Sequence, residues 1–160
     1  ALKAYSGMDY GKYDISVLRD VPYGIFLDYK ALLPDTWRKR AEHYYEENRR
    51  VKEGIKAWKN GNIEKFGQLI FESGRSSIYK YETGSEELKV LQEIMQSTDG
   101  IYGGRFSGAG FNGSSMAIID PGKKEEIENF VRTKYLTKFP DLEDKFSIHF
   151  CKTANGVTID

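Results

Sequence analysis

The sequence predicts an α+β domain, and three observations carry the prediction. Across residues 36–96 apolar side chains recur at steps of three and four, the spacing of buried helix faces. From Ile101 the period changes, and two short apolar runs, Ile101–Phe106 and Ser115–Ile119, flank a glycine-rich segment as strands flank a loop. A chain of 160 residues with 39% hydrophobic and 30% charged side chains has the composition and length of one core. No internal repeat, low-complexity stretch or linker divides it, so one domain over residues 1–160 is expected.

Residues 1–20 read as irregular and rich in Tyr and Gly. Pro22 has no N–H to lose and suits the first turn of a helix running to about Leu33. Pro34-Asp35-Thr36 marks a break and offers a cap for the next helix, about Thr36 to Asn60. On it Trp37, Ala41, Tyr44, Asn48, Val51, Ile55 and Trp58 alternate at steps of four and three, which draws one narrow stripe down about seven turns. That stripe is expected to face the core, with the Asn48 amide satisfying a neighbour there. Asn60-Gly61 is a stop signal.

A second helix from Asn62 is expected to bury Ile63, Phe66, Leu69 and Ile70, after which its inner face turns to Ser73, Ser76, Ser77 and Tyr81. Small hydroxyls there let two elements approach closely or face a wet cleft. A third helix, about Ser85 to Gln96, places Leu88, Leu91 and Ile94 inside. After the two strands, Asp120-Pro121-Gly122 forms a turn, and a helix follows with Ile127, Phe130, Val131 and Tyr135. A strand is expected at Phe146–Cys151, then a hairpin turn at Ala154-Asn155-Gly156-Val157 into a short last strand.

Lys plus Arg and Asp plus Glu each number 24, so the chain lacks the basic field of a nucleic-acid binder. The densest basic run, Arg38-Lys39-Arg40, is followed by Glu42, Glu46 and Glu47 and reads as a solvated helix face rather than an anion site. Cys151 is the single cysteine, which leaves no internal disulfide and fits a reducing compartment; its apolar neighbours Ile148 and Phe150 suggest a buried, inert thiol. No run of about 18 apolar residues and no signal peptide are visible, and the expected location is cytoplasmic.

The segment 103–113 holds five glycines in eleven residues. Glycine lets a backbone take positive φ and approach a ligand closely, and successive N–H groups in such a loop form a concave nest for phosphate oxygens. Ser107, Ser114 and Ser115 add hydroxyls. A tight turn between two packed strands would use the same glycines, and their number does not separate the two readings. Residues 108–113 also fit the dinucleotide pattern G-x-G-x-x-G, but the context excludes it. The next apolar run, Met116 to Ile119, is cut off by Asp120-Pro121, and the position where an acidic residue should stand is Thr133.

Gly104-Arg105-Phe106-Ser107-Gly108-Ala109-Gly110-Phe111 resembles the third signature motif of the GHMP kinases in its galactokinase form. Arg40-Ala41-Glu42-His43-Tyr44 with Glu47-Asn48-Arg49-Arg50-Val51 resembles the long helix of those enzymes. Phe66-Gly67-Gln68-Leu69-Ile70 followed by Glu72-Ser73-Gly74-Arg75-Ser76-Ser77 is similar to their next helix. Tyr81-Glu82-Thr83-Gly84-Ser85-Glu86-Glu87-Leu88 is closer still to the galacturonic-acid kinases of plants. Roughly residues 15–125 align in order. One departure is Asn112-Gly113-Ser114, where galactokinases usually show Gly-Gly-Cys, and it puts the identity of the sugar in doubt.

The resemblance implies a C-terminal kinase domain, a helical layer packed on an antiparallel, ferredoxin-like sheet. It implies a parent enzyme that moves the γ-phosphoryl of ATP, with Mg²⁺, to the anomeric hydroxyl of galactose or a galactose-like sugar such as galacturonic acid. In that reading Ser107, Gly108, Ala109, Gly110, Phe111, Asn112 and Gly113 bind the nucleotide phosphates and the Ser73–Ser77 face borders the cleft. The family's nucleotide loop and acceptor-side acid belong to an N-terminal domain with no counterpart here, so no catalytic or metal-binding residue is expected in this chain and no turnover by it alone. A non-catalytic relative that binds sugar and nucleotide in order to signal is the alternative. A plain helical interaction module is argued against by the loop.

Overall fold

Most of the predicted helices start where the sequence offers a cap. The protein's computed structural model describes residues 17–111 and 113–152. A 3-10 turn at Leu18–Asp20 leads into α1 (Tyr23–Tyr29), with Pro22 as its N-cap. A second 3-10 turn, Lys30–Leu32, takes over where the pattern predicts unbroken helix to Leu33. α2 runs Asp35–Lys59, and Asp35 in its first turn pairs with Arg38 and Lys39. Asn62 caps α3 (Ile63–Tyr79) by accepting from the Lys65 N–H at 2.9 Å, and Ser85 caps α4 (Glu86–Ser97) by accepting from the Leu88 N–H.

β1 (Ile101–Phe106) and β2 (Ser115–Ile119) pair antiparallel, Gly104 opposite Ala117 and Phe106 opposite Ser115. Among the described residues they form the whole sheet, so the α+β class holds with the helices dominant. A 3-10 turn at Pro121–Lys123 then starts α5 (Lys124–Lys138), which buries Ile127, Val131 and Tyr135 and leaves Phe130 largely outside.

α3 lies on β1, α2 packs outside α3, and α4 meets β1 and carries α5. The α3–β1 approach is backbone to backbone. A methyl on Gly67 would overlap the Tyr102 carbonyl, and one on Gly103 would overlap the Gly67 carbonyl. Ile78, Leu88 and Phe106 form the core next to the loop end of the hairpin. Val21, Phe26 and Ala41, with Tyr45 stacked on Phe26 at 4.7 Å, form a second cluster under α1.

Four expectations are corrected. The stripe on α2 is mostly outside: Trp37 is 66% exposed, Val51 58%, Ile55 52% and Trp58 57%. The buried positions are Ala41, Arg50, Gly54 and Ala57: Ala41 packs with Val21 and Phe26, and α3 seats Phe66 on Gly54, where a Cβ would lie 3.3 Å from the ring. Asn48 is exposed and donates to the Tyr44 carbonyl of its own helix. The strand predicted at Phe146–Cys151 does not form; a 3-10 segment Pro140–Lys145 is followed by irregular chain. Phe146 stacks on Tyr135 at 4.9 Å and lies under Arg132, while Phe150 lies under Lys124, so the segment runs back along α5 instead of pairing with the sheet. Cys151 is exposed, not buried. The hairpin at Ala154–Val157 lies outside the described residues.

Candidate functional site

The loop between β1 and β2 is closed at its neck by the Ser107 N–H, which donates to the Ser114 carbonyl at 2.8 Å. Gly108, Gly110 and Gly113 take φ of +77°, +83° and +137°, conformations that side-chain-bearing residues rarely adopt. Between them, the N–H groups of Gly108, Ala109 and Phe111 have no hydrogen-bond partner among the described residues. Gly108, Ala109, Phe111 and Gly113 are exposed, whereas Gly110 is buried. Asn112 lies outside the described residues.

Gly110 anchors the loop. Its carbonyl accepts from the Ser85 N–H at the start of α4, and a Cβ there would sit 2.7 Å from the Phe106 ring and 3.0 Å from the Gly84 nitrogen. The predicted site therefore divides: Gly110 is turned into the core, and Ser107, Gly108, Ala109, Phe111 and Gly113 present the loop outward. The unpaired amides suit the oxygens of a phosphate. The N-terminus of α4 adds little to that field, since Glu86 and Glu87 in its first turn already answer its dipole.

Behind the loop is a polar seam joining α2, α3 and β1. Glu47 accepts from Arg50 Nε at 2.6 Å and from Ser73 Oγ at 2.7 Å, and its Oε2 lies 3.6 Å from Arg105 Nη1. Arg105 also donates to Ser73 Oγ and, at 3.3 Å, to Ser77 Oγ. His43 shares a hydrogen bond of 2.9 Å with Ser76 Oγ. Glu46 pairs with Lys80 and with Arg50 Nη1. Burial holds the His43 imidazole below its ordinary range, against the opposite pull of Glu47. Burial pushes Glu46 up, but the bonds from Lys80 and Arg50 outweigh it and leave the carboxyl below its usual range.

This seam corrects the expectation that the Ser73–Ser77 face borders the cleft. Ser73, Ser76 and Ser77 are buried, and their hydroxyls are taken up by Glu47, His43 and Arg105. Sequence reading followed the apolar stripe of α2 and missed the polar one. His43, Glu46, Glu47 and Arg50 recur at the same steps of three and four, and that was the available signal. The loop and seam together can hold an anion and support the backbone that holds it. No group of three metal-ligating side chains gathers among the described residues.

Comparison with known proteins places this geometry. The family model described as GHMP kinases C terminal matches residues 52–137. A galacturonokinase from Arabidopsis thaliana is 42% identical over 130 residues, which is 81% of this chain and 31% of that protein. A galactokinase from Thermotoga neapolitana is 34% identical over 125 residues, 78% of this chain and 35% of the relative. The crystal structure of Lactococcus lactis galactokinase complexed with galactose superposes with a TM-score of 0.73 at 30% identity, covering 86% of this chain and 34% of that one. The chain thus spans about a third of the length of the relatives it matches. With more than half of its residues inside the family model and the glycine loop between the paired strands of that domain, the chain belongs to the GHMP kinases and carries their C-terminal domain.

Proposed function

We propose that this chain is the C-terminal part of an ATP-dependent sugar-1-kinase, joined to an N-terminal ATP-binding domain, and that the loop Ser107–Gly113 binds nucleotide phosphates from its side of the cleft. The observation that carries the reading is the set of N–H groups at Gly108, Ala109 and Phe111 that have no partner among the described residues, on an exposed loop closed at its neck and anchored at Gly110. Backbone donors fixed before the ligand arrives stabilise phosphoryl charge without reorganising, which is the principal demand of phosphoryl transfer.

The acceptor in this reading is the anomeric hydroxyl of galactose or galacturonic acid, the sugars in the names of the relatives. Mg²⁺ would arrive with the nucleotide, and the described residues gather no group of three metal-ligating side chains of their own. A cytoplasmic setting fits an ATP-dependent reaction, and no helix among the described residues is long and apolar enough to cross a membrane.

The test is product identification by ³¹P NMR. The longer protein bearing this chain is incubated with ATP, Mg²⁺ and either sugar, and a sugar 1-phosphate is expected. Tight sugar and nucleotide binding without any product would replace this reading with that of a non-catalytic binding protein.

A further inference from the structure

Arg105 is the residue before Phe106, the last of β1, and the loop opens immediately after it. Its backbone is held by pairing with Met116 on β2, and its side chain reaches back to α3 and α2. The guanidinium is one-third exposed, and its contacts are the hydroxyls of Ser73 and Ser77, the Glu47 carboxylate, and its Nε bond to the Phe106 carbonyl. Of these, Glu47 alone brings opposite charge. The Glu47 carboxylate is itself fixed on two other sides, by Arg50 Nε and by Ser73 Oγ. Arg50 is 6% exposed, so this fixed point belongs to the interior of the α2–α3 interface and not to a surface pair with two mobile ends.

We propose that Glu47 is a positioning residue for the candidate phosphate loop: acting through Ser73 and Arg105, it ties the neck of the loop to the long helix α2. The path is continuous. Glu47 holds Arg105, Arg105 fixes the orientation of Phe106 through its carbonyl, and Phe106 carries Ser107 on one side and supports Gly110 beneath its ring on the other. Without the carboxylate, the guanidinium has hydroxyl partners but no counter-charge in a half-buried place, and it gains by turning to water. That turn releases the neck while the apolar core of α4 and α5 is untouched. The functional importance of the inference rests on the phosphate-binding reading of the loop; the mechanical coupling does not.

Two amides report the coupling directly. The Ser107 N–H closes the neck on Ser114, and the Ser85 N–H holds Gly110. Hydrogen–deuterium exchange of the chain, followed by ¹H–¹⁵N NMR, is measured for the wild type, Glu47→Gln and Ser73→Ala. Glu47→Gln is expected to accelerate exchange at Ser107 at least about tenfold, and at Ser85 in the same direction. The amides of Ile127 and Val131 should stay within about twofold of the wild type. Ser73→Ala should show the same confined pattern at smaller amplitude. In Glu47→Gln/Ser73→Ala the Ser107 effect should fall short of the product of the single effects, as residues on one path require.

Unchanged exchange at Ser107 in Glu47→Gln would overturn the proposal, as would equal acceleration at Ser107 and Ile127, the mark of a merely structural residue. If Glu47→Gln does not fold, Ser73→Ala decides by the same criterion. The measurement uses neither ATP nor sugar, so its failure is distinct from failure of the kinase reading, which is judged by product formation.

Discussion

Gly108 and Gly110 share one backbone conformation and differ in surroundings. Their φ values are +77° and +83°, but nothing lies within 4 Å of a Cβ built on Gly108, whereas one on Gly110 meets the Phe106 ring. Alanine at either position incurs the left-handed penalty of about 1–2 kcal/mol. At Gly110 the overpacking adds about 1–3 kcal/mol. Gly110→Ala should therefore lower the urea midpoint clearly more than Gly108→Ala, and equal midpoints would show that the ring yields freely. The glycine count made the loop legible in the sequence. Which glycine turns inward was not, because it depends on where Phe106, a residue of the strand, places its ring. His43 carries a second prediction. Its imidazole is held by burial below the ordinary value of about 6.5, so its neutral form is favoured by folding. Its stabilising contribution is complete above about 6.5 and is lost as pH falls through the lower folded-state value. His43→Gln should accordingly lose less stability than the wild type between pH 7 and pH 5, measured as the shift of the urea midpoint.

At the scale of elements, the starts of α3 and α4 and the β1–β2 pairing were readable, since Asn62 and Ser85 are caps and the strands are punctuated by glycine. The inward face of α2 was not. Both its apolar and its polar stripe have helical period, and the shape of α3 chooses between them: Phe66 needs Gly54, and Ser73 and Ser76 need Glu47 and His43. Val51→Ala and Ile55→Ala should each change stability by no more than about 0.5 kcal/mol in this chain, the range of exposed positions. Leu69→Ala, at a position 3% exposed on α3, should cost about 2–5 kcal/mol. Parallel denaturant melts would check the contrast, and a large loss at Val51 would mean that the stripe is covered. The strand expected at Phe146–Cys151 failed for a related reason. Its alternation of apolar and polar residues is genuine, but Tyr135 and Arg132 offer Phe146 a closer partner on α5 than a sheet edge does.

For the whole molecule, the proposed reading makes this chain, which spans about a third of its relatives' length, one side of a reaction cleft. On this account the 160-residue chain alone makes no sugar 1-phosphate from ATP and galactose or galacturonic acid, while the longer protein does. The central claim, that the loop binds phosphate, is tested most directly by steady-state kinetics of Gly108→Val in the longer protein, with the melting temperature read on the same preparation. Gly108 is the position to change because it has open space around it, so a side chain there obstructs a ligand before it obstructs the core. The account predicts that kcat/KM falls at least about tenfold, about 1.4 kcal/mol of transition-state stabilisation, with a much smaller proportional change in stability. Normal kinetics in a destabilised protein would contradict it and leave the loop as a turn between two strands.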